Sequence, residues 1–218
     1  AIEHGMIGMA MTTGWLKLLP TNGAEPKVGL NPVAYAVPAK EEPPFIFDAT
    51  MSSVAGNKIG LADRLGANVY PGWIAEEDGT PIMVESGVPE IWHMLPLGGT
   101  REIGSHKGYG LSLILEILCG GLGNNGLGPF RRKQTTHHFT VYNIDAFGTL
   151  EEFVEDVDQY LDKLKNSKPA PGFDRVVYAG LPEHEEEKER NHNGIPYHPE
   201  VIDWFRSITS ELQIDFEY

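Results

Sequence analysis

A glycine-rich turn, Gly104-Ser105-His106-Lys107-Gly108-Tyr109-Gly110, leads directly into the apolar stretch Leu111-Ser112-Leu113-Ile114-Leu115-Glu116-Ile117-Leu118. This pairing constrains the fold more than any other feature, because the stretch reads as a packed helix and a lysine stands where that helix starts. The first N–H groups of a helix have no partners in the helix, and its dipole makes that end electropositive. Cations are favoured at the opposite end, so a lysine here works against helix stability. A turn that accepts this penalty points to an anion, either a phosphate or a carboxylate. The plainer alternative is a solvated lysine beside a flexible turn, and the rest of the chain has to separate the two.

The 218 residues, 41% of them hydrophobic, suffice for one sizeable core or two small ones. The net charge of −14, from 31 acidic and 17 basic residues, disfavours a nucleic-acid binder, whose affinity comes from clustered Lys and Arg. Arg131-Arg132-Lys133 is the only basic triplet and is too short for such a footprint. The acidic balance reports solubility. The single cysteine, Cys119, falls within the apolar helix and is expected to pack as a small hydrophobe. One cysteine allows no disulfide framework and no cysteine metal cluster within one copy, which fits a reducing compartment. No secretory signal opens the sequence, and residues 109–118 are too few to span a bilayer and include Glu116. The expectation is a cytoplasmic chain with no membrane partner. The sequence does not begin with Met, and Ala1-Ile2-Glu3-His4-Gly5 reads like the last turn of a helix with its glycine stop, so a fragment or one piece of a processed chain is expected.

Residues 6–12 read as a short buried strand, and a Pro/Gly/Asn loop follows over 20–26. Residues 33–37 are strand-like, bounded by Pro32 and Pro38. Phe45-Ile46-Phe47 is a further strand that ends at Asp48. Residues 50–65 have helical spacing with Gly66 as C-cap, which puts Asp48-Ala49-Thr50 at a strand-to-helix turn. A strand is expected over 70–78, ending in an Asp78-Gly79 turn, and 82–97 reads as irregular. The central helix closes at Gly120-Gly121. Residues 138–144 form a strand, and 150–164 a helix with acidic residues between apolar ones. Pro169-Ala170-Pro171-Gly172 marks a boundary. A short strand over 175–178, a charged helix over 183–190 and a last helix from Pro199 through Leu212 complete the chain. Two domains are expected: 1–147, a cofactor-binding mixed sheet, and 148–218, a helical and strand segment packing back on it.

Three pieces share a pattern: Asp48-Ala49-Thr50, Lys107 and Gly180-Leu181-Pro182. Each stands where a regular element starts or stops, and each offers backbone N–H groups with a small or polar side chain. Converged, they suit a nucleotide, with amides and lysine for phosphate and a carboxylate for ribose hydroxyls. Left apart, they are ordinary caps and turns. Glu116 reads as a hydrogen-bonded buried acid rather than a catalyst. His106 either bonds a ligand or fills its turn. His137-His138 has no third ligand at useful spacing, so no metal site is expected. The P-loop pattern and the G-x-S-x-G elbow are absent, and Gly120-Gly121-Leu122-Gly123 follows a helix, which a dinucleotide fingerprint of the Rossmann kind does not.

Several motifs follow in order: Gly29-Leu30-Asn31-Pro32 with Ala34 and Pro38; Phe47-Asp48-Ala49-Thr50-Met51-Ser52 with Gly56-Asn57-Lys58; Leu95-Pro96-Leu97-Gly98-Gly99; His106-Lys107-Gly108-Tyr109-Gly110-Leu111; Pro171-Gly172-Phe173; and Gly194-Ile195-Pro196. Their order and spacing resemble the type-2 malate/L-lactate dehydrogenase family, which includes sulfolactate and ureidoglycolate dehydrogenases. The resemblance runs along nearly the whole chain. It implies hydride transfer between NAD or NADP and a small 2-hydroxy or 2-oxo acid. It also implies an α+β fold, not a Rossmann fold, with a largely antiparallel sheet and packed helices, working as a homodimer. Cofactor contacts in the family match Asp48, Ala49, Thr50, Met51 and Ser52, the pair His106 and Lys107, and the turn Gly180, Leu181 and Pro182, with a further contact near Thr13 and Gly14.

The departures are specific. The family's catalytic histidine and a substrate-gripping arginine lie in a region upstream of Ala1, so no catalytic residue is assigned in this chain. Leu30 stands where the family usually has Thr, and Gly14 where it often has Ser. The stretch after Gly79 lacks the usual Thr-Asp-Pro. Two other readings compete with the dehydrogenase: a nucleotide-binding module without catalysis, and a structural subunit whose glycine turns are only caps.

Overall fold

Alternation along the strands sorts their side chains onto two faces. In the computed structural model, which describes residues 1–133 and 135–215, β1 (Met6–Thr12) pairs on both sides. Its neighbours are β4 (Val33–Val37) and β8 (His137–Asn143), and β4 carries β5 (Phe45–Ala49), giving an antiparallel sheet in the order β5-β4-β1-β8. Met9 opposes Tyr35 and Thr140, and Met11 opposes Val33 and His138. Met11 and Val33 therefore share one face with Phe47 and pack against Met51, Leu115 and Cys119. The other face is lined along its centre by Gly8, Ala10, Ala34 and Ala36 and leaves Phe139 exposed. β1, expected to be buried, has only Met11 fully covered, and its other six residues are part-buried on both faces.

A second, smaller sheet has the order β3 (Val28–Gly29), β2 (Leu16–Leu18), β7 (His93–Met94), β6 (Ile74–Ala75). It contains a parallel pairing at Leu18 and Met94 between antiparallel neighbours. Helix α1 (Gly56–Leu65) lays Ile59 and Ala62 on its core of Leu18, Val28, Val69, Ile74 and Met94. Gly66 takes φ 63° and its N–H bonds the carbonyls of Ala62 and Asp63, the glycine stop expected from the sequence.

Helix α2 (Ser105–Glu116) starts at the glycine turn as expected, with Gly104 as its N-cap. It does not stop at Glu116. A wide turn continues it over Ile117–Gly121, where the Leu122 N–H reaches Ile117 at 2.8 Å. A Cβ on Gly120 would lie 2.6 Å from the Gly126 carbonyl oxygen, so the loop after the helix closes against it only because no side chain stands there. The apolar stretch is not buried all round. Ser112, Leu115, Glu116 and Cys119 face inward, while Leu111, Ile114 and Ile117 remain 48%, 52% and 54% exposed. Cys119 packs as the small hydrophobe expected.

Helix α3 (Leu150–Lys165) is capped by Thr149, whose hydroxyl accepts from the Glu152 N–H, and it carries acids in its first turn and lysines in its last. Asp158 on α3 accepts the backbone N–H groups of Lys40, Glu41 and Glu42, and Lys165 pairs with Glu42.

Three expected elements differ. β5 runs to Ala49, and α1 begins at Gly56 rather than Thr50. The intervening backbone is not helical: it bends at Met51, Ser53 and Val54, and Met51 and Ser53 bond Leu30 and Leu95 across it. The strand expected over 70–78 is reduced to β6, interrupted by a turn in which Trp73 bonds back to Tyr70 and Gly72 takes φ 77°. Residues 175–178 form no strand, although Tyr178 is buried and its hydroxyl donates to the Pro43 carbonyl at 3.0 Å.

Two compact units make up the chain, Ala1–Gly180 and Leu181–Tyr218. The second holds α4 (Leu181–Asn193) and α5 (Pro199–Leu212), the latter opening on its proline as read from the sequence. Among the described residues the fold is mixed α+β, without the parallel βαβ sheet of a Rossmann domain. Among the described residues no helix is long and apolar enough to cross a membrane.

Candidate functional site

The residues singled out by sequence lie on four segments of the first unit and at the opening of the second. Asp48 and Ala49 are the last residues of β5, with Asp48 exposed and paired in register with Ala34. They are strand residues, not the turn that was expected. Thr50 to Ser52 follow outside the strand, with a bend at Met51 and Ser52 in an isolated bridge to Pro96. Met51 is buried in the core beneath the first sheet. The Thr50 and Ser52 hydroxyls lie 2.7 Å apart, and Ser52 Oγ donates to the Val54 carbonyl.

Backbone bonds tie this segment to its neighbours. The Met51 N–H donates to Leu30 at 2.9 Å, and the Met51 carbonyl accepts from Leu97 N–H at 2.9 Å. Ser53 N–H reaches Leu95, and Ser53 Oγ donates to Pro96. Segment 95–97 in turn seats α2, because Gly108 lies directly under Leu97. His106 and Lys107 stand exposed in the first turn of α2. Beside them Ser105 is fully buried, its hydroxyl 3.0 Å from Thr21 Oγ1. The structure thus links the Thr50–Ser52 stretch and the Lys107 turn through one shared segment.

Gly180 takes φ 96°, and a Cβ there would lie 2.8 Å from the Ile46 nitrogen. The preceding Ala179 carbonyl accepts from Ile46 N–H at 3.1 Å. Gly180 therefore sits against β5, on the strand that ends in Asp48 and Ala49. Leu181 and Pro182 are the first residues of α4 and belong to the second unit.

Thr13 and Gly14 are held inward. Thr13 is 1% exposed; its N–H donates to the Thr136 carbonyl at 2.9 Å, and its hydroxyl lies 3.1 Å from Thr136 Oγ1. The Gly14 N–H donates to Asn31 Oδ1 at 2.9 Å, and the Gly14 carbonyl accepts from Arg131 Nη1 at 2.6 Å.

Behind this turn lies a buried polar cluster. The Arg131 guanidinium forms a two-pronged pair with the Glu116 carboxylate. Glu116 also accepts from the Gly128 N–H at 2.8 Å and from Asn31 Nδ2 at 3.1 Å. Burial pushes the Glu116 carboxyl up, but the Arg131, Gly128 and Asn31 hydrogen bonds outweigh it and hold the group below its ordinary range. The sequence identified Glu116 as a buried, hydrogen-bonded acid. It gave no sign of Arg131, which stands within a basic triplet and reads there as a surface charge. An arginine fifteen positions after a helix acid carries no local pattern that could have flagged it.

His137 stacks on Phe139, and His138 Nε2 lies 2.8 Å from Thr140 Oγ1. Among the described residues no three His, Cys, Asp or Glu side chains are placed to hold a metal ion.

The profile of a family described as malate/L-lactate dehydrogenase matches residues 1–206. The malate dehydrogenase of Pyrococcus horikoshii is 33% identical over 225 residues, covering 99% of this chain and 61% of its own length. The L-sulfolactate dehydrogenase of Methanocaldococcus jannaschii is 29% identical over 225 residues, covering 100% of this chain and 62% of its own. The crystal structure of malate dehydrogenase from Entamoeba histolytica superposes with a TM-score of 0.87 at 27% identity, over 100% of this chain and 64% of that one. The chain thus spans about three fifths of the length of the relatives it matches.

Proposed function

The chain belongs to the malate/L-lactate dehydrogenase family, and from that premise we propose that the protein is an NAD(P)-dependent oxidoreductase acting on a small 2-hydroxy acid. The observation that carries the proposal is the placement of Lys107: an exposed cation in the first turn of α2, a helix seated on segment 95–97, which also bonds Met51 and Ser53.

The chemistry of these residues suits a dinucleotide. Lys107 and the N-terminal end of α2 favour phosphate, and the exposed Asp48 carboxylate accepts from ribose hydroxyls. The nicotinamide ring, when bound, gives or takes the hydride. The residues of this chain bind and orient it: Lys107 neutralises phosphate or the substrate carboxylate, and Ala49, Thr50, Ser52, His106 and Gly180 shape the surface around it. Met51 supports that surface from the core. Leu181 and Pro182 are proposed as contacts on the family pattern. Thr13 and Gly14 enter as shape, since their groups bond inward. No catalytic base is assigned among these residues. In this reading residues 1–147 carry most of the cofactor contacts and 148–218 add the Gly180-Leu181-Pro182 turn, and the whole protein works as a homodimer in the cytoplasm.

Fluorescence titration of the full-length protein with NADH and NADPH, followed by turnover assays over a panel of 2-oxo acids, tests the proposal. Saturable binding of one or both cofactors and reduction of at least one acid are expected. Binding of neither cofactor, with no turnover across the panel, overturns it.

A further inference from the structure

The turn at Gly14 is fastened more heavily than the fold alone requires. Both of its main-chain polar groups are taken by side chains from distant segments, the N–H by Asn31 and the carbonyl by Arg131. Asn31 is itself fully buried and donates to the Ser112 carbonyl at 2.9 Å, Ser112 Oγ at 3.1 Å and Glu116 Oε2 at 3.1 Å. Its backbone takes φ 36° immediately before Pro32. That left-handed conformation is unfavourable for a residue with a side chain and is further disfavoured by the following proline. Such outliers persist only where surrounding bonds over-determine them, and they cluster where a ligand surface has to be held in place. Gly29 makes the cluster sterically feasible, since a Cβ there would lie 2.1 Å from Asn31 Oδ1 and 2.7 Å from Arg131 Nη2.

The same cluster reaches α2. Glu116 and Ser112 stand on the inward face of the helix whose first turn carries Lys107. Leu30, next to Asn31, bonds Met51 of the Thr50–Ser52 stretch. One buried charge pair therefore sets the Gly14 turn relative to the two other segments assigned to the cofactor.

We propose that Arg131 and Glu116 are positioning residues for cofactor binding, which fix the Thr13-Gly14 turn as a rigid wall and do not touch the cofactor themselves. The proposal rests on the dehydrogenase reading above. A neutral turn held by one backbone bond would serve a structural connection equally well. The paired, desolvated charges give instead a geometry that resists displacement when a ligand presses on it.

The test uses full-length protein carrying Arg131→Lys, which keeps the charge but loses the fork that spans Glu116 and Gly14. Ser112→Ala, which removes the hydroxyl that accepts from Asn31 and donates to the Gly29 carbonyl but leaves the charge pair in place, serves as a second variant should Arg131→Lys fail to fold. Three quantities are read: the dissociation constants for NADH and NADPH, kcat and KM for the best oxo acid, and hydrogen exchange at the Gly14 amide. Arg131→Lys is expected to weaken cofactor binding about tenfold, with faster Gly14 exchange and kcat changed far less than the cofactor KM. Ser112→Ala should move the same readouts in the same direction by less. Unchanged cofactor affinity and unchanged Gly14 exchange, with only the melting temperature lowered, overturn the proposal in either folded variant. If the parent protein binds neither cofactor, the dehydrogenase reading fails and this proposal falls with it. If the parent binds and the variants bind equally, this proposal alone fails.

Discussion

Gly108 lies so close under Leu97 that a Cβ added to it would stand 2.3 Å from the Leu97 carbonyl oxygen. This contact seats α2 on segment 95–97, the same segment that bonds Met51 and Ser53. In a helix interior, Gly→Ala ordinarily stabilises by about 1 kcal/mol. Here the obstacle is backbone, which cannot swing aside, and overpacking of this kind costs about 1–3 kcal/mol. Gly108→Ala is expected to destabilise the protein by about 2 kcal/mol and to weaken cofactor binding, as read by denaturant midpoint and fluorescence titration. A stabilised variant with intact binding contradicts the packing described.

Lys107 is exposed, so its loss should leave stability almost unchanged while removing a charge-assisted contact. Lys107→Ala is expected to raise the cofactor or substrate KM about tenfold or more, with the melting temperature held. Steady-state kinetics over both substrates identifies which anion the lysine meets. Kinetics identical to the parent would remove Lys107 from the site.

Two glycines offer an internal contrast. Gly29→Ala places a methyl group among Asn31 Oδ1 and Arg131 Nη2, and displacing either leaves buried polar groups unpaired at about 1–3 kcal/mol each. A loss of about 3 kcal/mol is expected. Gly60, exposed within α1, has nothing within 4 Å of its added Cβ. Gly60→Ala should stabilise by about 1 kcal/mol. Urea melts of both variants check the pair, and the sign difference is the prediction.

The Glu116 carboxyl titrates below its ordinary value of 4.5 in the folded protein. A depressed folded pKa means the unfolded chain takes up the proton first as pH falls. The group therefore stabilises fully above about pH 4.5 and loses that contribution as pH drops through the folded value. Glu116→Gln should lower stability at neutral pH, where a buried guanidinium is left without its counter-charge. It should also flatten the dependence of stability on pH below about 4.5. Denaturant midpoints measured from pH 7 down to about 3 test both effects.

Much of the architecture is written in short-range pattern. The glycine turn before α2, the αL stop at Gly66, the proline opening of α5 and the strands β1, β4 and β8 all follow from the residues at those positions, because caps, turns and short apolar runs are properties of a few adjacent residues. The irregular stretch from Thr50 to Ala55 broke that rule. Its helical spacing was overridden by hydrogen bonds to Leu30, Leu95 and Leu97, partners that no local window contains.

The candidate site divides in the same way. Sequence alone located Lys107 at a helix start and Asp48 near a strand end, since both sit at element boundaries that local chemistry marks. Tertiary structure alone decided which side of α2 faces the core. Ser112 turns inward beside Glu116, the acid already read as buried, while Leu111, Ile114 and Ile117 stay outside, against a plain reading of the apolar run. The reason is pairing across the chain: Glu116 finds Arg131 and Asn31, Ser112 finds Gly29, and each bond joins residues far apart in sequence. A buried acid is stable only with such partners, and only the folded chain brings them within reach.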